Sequence, residues 1–129
     1  MAPEPAARVS TEWIRDFIKA EQGPSAEGLR LYFAEVVTPY YGFPSADWAA
    51  IEKDKTYYFS RFPTISYTLT GEPERTSVSG GEALDFNIRY ENAMRGGKVV
   101  KGTSHLRLTV RFNGGVPKIV GIEERKVSE

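Results

Sequence analysis

Asp54-Lys55 lies inside the part of the chain richest in tyrosine and phenylalanine, with Tyr40-Tyr41-Gly42 before it and Tyr58-Phe59-Ser60-Arg61-Phe62-Pro63 after it. Helical spacing puts Lys55 on the apolar face of its segment, four residues after Ile51 and four before Phe59. A lysine there can anchor an anionic or carbonyl-bearing ligand, or act as an amine whose pKa is lowered by loss of water. The alternative is a snorkelling stem whose ammonium reaches water or pairs with a carboxylate such as Glu35 or Glu123. The Tyr41 and Tyr58 hydroxyls could donate to a ligand oxygen, or pack in a core with one satisfied bond each. Phe62, Tyr90, Tyr32 and Tyr67 read as wall, and Gly102 and Ser104 as small inward residues that leave room beside it.

A second polar group falls on alternating strand positions. His105, Arg107 and Arg111 share one face, and Asp85, Arg89 and Glu91 occupy the same face of the preceding strand. This is a solvated sheet face with cross-strand ion pairs, or an interface through Arg89, His105 and Arg107 in a homodimer. His105 is the only histidine and there is no cysteine, so no metal site, no cofactor and no cysteine nucleophile is expected. Seventeen basic and seventeen acidic residues cancel, which argues against a nucleic-acid partner. No apolar run is long enough to span a bilayer. Residues 1–9 read as a flexible lead-in without a signal pattern, and 10–127 as one domain. Both a bacterial cytoplasmic location and export after loss of a signal segment stay open.

The elements that must hold these groups follow from periodicity. Ser10 caps a helix over Thr11–Glu21, with Trp13, Ile14, Phe17 and Ile18 on its buried stripe and Gly23-Pro24 at its end. A second helix is expected after a Ser25 cap, running to about Val37 through Leu29, Tyr32, Phe33 and Val36. A third is expected over Ala46–Arg61, capped by Ser45 and closed by Pro63. Tyr40-Tyr41-Gly42 between them is a brief strand or extended link. Beyond Pro63 the period is two. Ile65, Tyr67 and Leu69 form one strand, and Leu84, Phe86, Ile88 and Tyr90 face inward from the next. A strand over Val99–Phe112 turns at Asn113-Gly114 into a last strand over Val116–Lys126. Glu72–Gly81 reads as a loop or ragged hairpin. A strand of about fourteen residues must bend, and Gly102 is the place expected for a bulge.

Helices followed by an antiparallel meander give an α+β domain, with three N-terminal helices packed in a strongly curved sheet that forms a cone. Together with the YYG, DK and YF-x-R-F-P residues quoted above, this pattern resembles the nuclear transport factor 2-like superfamily, which includes ketosteroid isomerases, scytalone dehydratase and polyketide cyclases. More closely it is similar to a bacterial branch without an assigned activity. The resemblance implies a conical pocket and leaves the reaction open, because this fold hosts enzymes, binding modules and transport factors. Isomerase-type chemistry needs a carboxylate base and an oxyanion partner inside the cone. The inward positions of 65–69, 84–90 and 100–112 carry no Asp, Glu or His, although one of Glu123 and Glu124 could face in. The first expectation is therefore a non-catalytic domain binding a small apolar or carboxylate-bearing ligand through Tyr41, Lys55, Tyr58, Phe62, Tyr90 and Ser104. An isomerase, dehydratase or cyclase using a pocket tyrosine and a carboxylate, and a dimerisation module using the outer sheet, are the alternatives.

Overall fold

The computed structural model describes residues 8–127. The first seven residues of the expected lead-in lie outside them, but Val9 is already part of the core, with 2% of its surface exposed. Its N–H donates to Glu82 Oε1 at 2.6 Å, and its carbonyl accepts from Arg75, which also reaches Glu82 at 3.0 Å and Thr11 Oγ1 at 3.3 Å. This clamp fixes the start of helix α1, Thr11–Ala20, against a strand hairpin. Ser10 accepts from the Trp13 N–H at 3.0 Å, Glu12 sits in the first turn, and Ile14, Phe17 and Ile18 are buried. Gly23 follows with φ +76°, and a Cβ there would lie 2.9 Å from the Phe59 ring. Glycine therefore meets both a left-handed backbone and a close approach.

The expected second helix does not form. Only Ala26–Leu29 make a single 3₁₀ turn, and the chain then runs extended beside the last strand. The Ala34 and Thr38 N–H groups donate to the carbonyls of Ile119 and Val120, while the Ile119 N–H donates back to Tyr32. A sheet edge satisfies these backbone groups in place of helical bonds. Burial still recurs every three or four residues, at Ala26, Leu29, Phe33, Val37 and Tyr40, so the apolar spacing is real while its helical reading is wrong. Val36, expected in the stripe, is exposed, and Val37 is buried instead.

Strands β1, Val36–Val37, and β2, Ala46–Asp47, pair as a short antiparallel bridge ahead of helix α2, Trp48–Arg61. The N-cap of α2 is Asp47 rather than Ser45, its side chain accepting from the Ala50 N–H at 2.9 Å. Strands β3, Thr64–Val78, β4, Gly81–Ala93, β5, Val99–Asn113, and β6, Val116–Lys126, form one antiparallel sheet in sequence order. The segment read as a loop is the far half of β3, which continues to Val78 across an irregularity between Thr70 and Glu74. Gly102 carries no bulge, since β4 and β5 stay in register from end to end. A side chain at 102 would instead meet the Tyr90 hydroxyl at 2.7 Å, which explains the glycine. The bulge lies on β6 at Val120, between the Thr109–Gly121 and Val110–Ile119 pairs.

The core between helices and sheet unites Phe17, Leu29, Phe33 and Ile51 with Leu84, Leu108, Val110, Ile119 and Ile122. Edge-to-face ring contacts run from Phe17 to Phe33 at 5.8 Å, Phe33 to Tyr40 at 6.4 Å and Tyr40 to Tyr41 at 4.7 Å. An aromatic chain thus leads from α1 to the site.

Candidate functional site

Three elements meet where α1 ends. Ile51, Lys55 and Phe59 form the buried stripe of α2, as their spacing requires. Lys55 is 7% exposed, and so is Glu21, the residue that terminates α1. Lys55 Nζ donates to Glu21 Oε2 at 2.8 Å and to the Tyr41 hydroxyl at 3.0 Å, and the Tyr41 ring lies 5.0 Å from the ammonium. Tyr41 is a corner of the tight turn closed by paired backbone bonds between Tyr40 and Phe43, and its φ is +50°. A bulky non-glycine residue in that region is strained. The strain is held by the Tyr41 N–H, which donates to the Ile122 carbonyl at 2.8 Å. Beside it, the buried Tyr40 hydroxyl donates to Asp54 Oδ2 at 2.6 Å.

Burial alone would depress the Lys55 pKa, but the Glu21 carboxylate beside it, with Tyr40 and Asp54, outweighs that and raises it. Lys55 is thus a committed cation rather than a neutral amine. Its partner is Glu21; Glu35 and Glu123 are exposed elsewhere. Burial pushes the Tyr40, Tyr41 and Tyr67 hydroxyls well above the usual phenol range. All three remain protonated hydrogen-bonding groups at neutral pH.

A cavity of about 280 Å³ opens onto this cluster. Phe17, Tyr40, Tyr41, Phe43, Tyr58 and Tyr67 supply its aromatic wall; Glu21, Asp54, Lys55 and Glu124 supply its charges. A smaller chamber of about 180 Å³ adjoins it, sharing Tyr58, Tyr67, Ile88 and Glu124 as a common wall. Phe62, Tyr90, Asn92, Val100, Ser104 and Lys126 also line the smaller chamber. The six expected pocket residues are therefore divided. Tyr41 and Lys55 line the larger chamber, Phe62, Tyr90 and Ser104 the smaller, and Tyr58 both.

Glu124 pairs in register with Leu106 and faces the cone, while Glu123 pairs with Arg107 on the outside. The Val120 bulge makes this choice, because unbroken alternation from the buried Ile119 would have turned Glu123 inward. Glu124 keeps solvent-exposed surface, yet partial burial raises its carboxyl pKa. The nearby Glu21 charge adds to this, while Lys55, Lys126 and a hydrogen bond with Ser104 oppose it. Asn92, 3% exposed, donates through Nδ2 to the Tyr58 hydroxyl at 2.7 Å, and its buried Oδ1 has no partner.

Sequence reasoning missed Glu21, Asp54 and Asn92 as site residues. Glu21 had one available signal, a carboxylate directly after a helix stripe. On the outer face, His105 Nδ1 lies 2.8 Å from Asn87 Oδ1 and Nε2 lies 3.0 Å from Asp85 Oδ1; Arg107 reaches the other oxygen of Asp85 at 3.4 Å. His105 and Arg107 thus meet through Asp85, and Arg89 stands exposed on the same face.

Among the described residues, no helix is long and apolar enough to cross a membrane. No family model matches the chain, and no curated protein is similar to it in sequence. Solved structures do share its fold. A nuclear transport factor 2-like superfamily protein from Salmonella enterica serovar Typhimurium superposes with a TM-score of 0.79 at 12% identity, over 92% of this chain and 89% of that one. An uncharacterised cystatin-like protein from Caulobacter vibrioides gives 0.72 at 12% identity, over 89% and 84%. A hypothetical protein with a ketosteroid isomerase-like fold from Catenulispora acidiphila, in complex with trimethylamine, gives 0.66 at 13% identity, over 91% and 86%. The chain has the nuclear transport factor 2-like α+β fold.

Proposed function

We propose that this chain is a small-ligand-binding domain whose aromatic cone holds a compact ligand. The observation that carries this reading is the open cavity of about 280 Å³, close to the 300–1,000 Å³ typical of ligand sites, with rings on its walls and a few convergent polar groups. The small molecule bound by the Catenulispora acidiphila neighbour supports it. An anchoring role for Lys55 toward a ligand carboxylate is disfavoured, since Glu21 already neutralises its charge at 2.8 Å. The test is a thermal-shift screen of neutral aromatic fragments on wild type and on Ile88→Phe, which thickens the shared wall. A ligand at a hundredfold over its Kd stabilises by about 2.7 kcal/mol, or roughly 10 °C for a chain of this length. Hits lost in Ile88→Phe support the reading, and a panel without a single hit at millimolar concentration refutes it.

A second reading, an acid–base enzyme, is favoured by Glu124. It is a cavity carboxylate with a raised pKa, on the wall that also holds Tyr58 and Tyr67. Glutamate tuned upward suits a general base near neutral pH. Turnover of a bound carbonyl compound that disappears in Glu124→Gln, with binding retained, would move the assignment to this class.

A further inference from the structure

The polar groups of the two chambers are unequal in what they still lack. Two of the three Lys55 ammonium donors are taken by Glu21 and Tyr41. Asp54 accepts from Tyr40. No lysine or arginine among the described residues closes to ion-pair distance of Glu124. Asn92 Oδ1 is buried and has no donor at all. What these two groups still lack is therefore a hydrogen-bond donor for Asn92 and a cation at ion-pair distance for Glu124.

Resting on the binding reading above, we infer that the ligand carries a protonated amine, received by the Glu124 carboxylate with the Asn92 carbonyl as a second acceptor. The groups facing Glu124 agree with this. Glu21 of α1 and Lys55 of α2 form one neutral pair, and Lys126, two residues along β6, lines the smaller chamber with an exposed side chain outside ion-pair distance of Glu124. Tyr58 and Tyr67 line the shared wall, and aromatic neighbours suit an ammonium better than a carboxylate. A charged donor to a carboxylate makes about twice as strong a bond as a neutral pair. The aromatic larger chamber then takes the ligand's apolar body.

Four probes of one shape separate the possibilities: 3-phenylpropylamine, 3-phenylpropanol, butylbenzene and 3-phenylpropionate, titrated calorimetrically into the full chain at pH 8. The amine is expected to bind about tenfold more tightly than the alcohol, with the carboxylate weakest. Glu124→Gln should bring the amine down to the alcohol's level, and Asn92→Leu should weaken the amine severalfold. In the wild type, amine affinity should fall as pH drops through the titration of Glu124 while alcohol affinity holds, a readout independent of any variant's folding. Equal binding of amine and alcohol, an amine preference that survives Glu124→Gln, or tightest binding by the carboxylate overturns the amine site and leaves the ligand-binding reading standing. Failure of all four probes to bind overturns both.

Discussion

Replacing Lys55 by methionine keeps the length and apolar stem of the side chain and removes its charge. Both members of the Lys55–Glu21 pair have side chains only 9% exposed and lie 2.8 Å apart. Methionine therefore strands a carboxylate in an aromatic pocket without its cation, and Tyr41 loses its neighbour at 3.0 Å. Breaking one side of a buried pair costs about 3–5 kcal/mol. With an unfolding entropy of about 2.1 cal/mol/K per residue, the 129-residue chain should melt about 11–18 °C lower. Adding Glu21→Leu removes the stranded charge, and the double variant should return to within about 1 kcal/mol of wild type or exceed it, because apolar replacement of a whole buried pair is often neutral or stabilising. The assay is urea unfolding followed by fluorescence at pH 7.5 on the wild type, both single variants and the double variant. A Lys55→Met protein within 1 kcal/mol of wild type, or a double variant no better than Lys55→Met, would refute the view that Glu21 and Lys55 stabilise the site only as a pair.

Other consequences are separately measurable. Glu82→Leu removes the shared acceptor of the Val9 N–H and the Arg75 guanidinium, and should cost about 3–5 kcal/mol, with hydrogen exchange quickening first at the start of α1. Tyr40→Phe deletes the 2.6 Å bond to Asp54 and should cost about 1 kcal/mol in denaturant unfolding. The raised folded pKa values of Tyr40, Tyr41 and Tyr67 contribute stability that is complete below the unfolded value near 10 and declines as pH rises above it. Absorbance at 295 nm should accordingly show these phenols ionising only together with unfolding; titration of all seven tyrosines in a folded protein would contradict this. For Glu124, also raised, stability is fullest below the unfolded carboxylate value and diminishes as pH climbs through the folded one. Glu124→Gln should therefore melt higher than wild type at pH 8 and equal it at pH 4.

Where local pattern and tertiary context agree, the elements were legible in the chain. Ser10 and the Ile14, Phe17 and Ile18 stripe set α1, and the Asn113-Gly114 signal finds the β5–β6 turn one residue early, since Asn113 still pairs with Val116 and the corner is Gly114-Gly115. The inward faces of β4 and β5 follow alternation without a slip. Pattern failed where long-range backbone bonding decides. Residues 30–41 have helical apolar spacing but spend their hydrogen bonds on β6, which no local window reveals. The β3 extension was hidden because polar residues past the Thr70–Glu74 irregularity pair with β4 as regularly as apolar ones. The site was half legible. Lys55, Tyr41 and Tyr58 announced themselves by spacing and type, whereas Glu21 reaches Lys55 from 34 residues away. Glu124 faces the cavity only because a bulge lies four residues before it.

The stretch from Tyr32 to Tyr41 that takes up the free carbonyls and N–H groups of β6 also governs how copies of this chain can meet. With that border occupied from within over Ile119–Ile122, β3 is the longer unpaired border of the four-stranded sheet among the described residues. It carries Gly71, Glu72, Pro73 and Glu74 around its irregularity, a sequence that repels a like strand and withholds one donor. Addition of one copy's sheet to another's, the route by which many antiparallel proteins form fibres, is blocked at the middle of one border and discouraged at the other. Any self-association of this protein is thereby directed to side-chain contacts across a face.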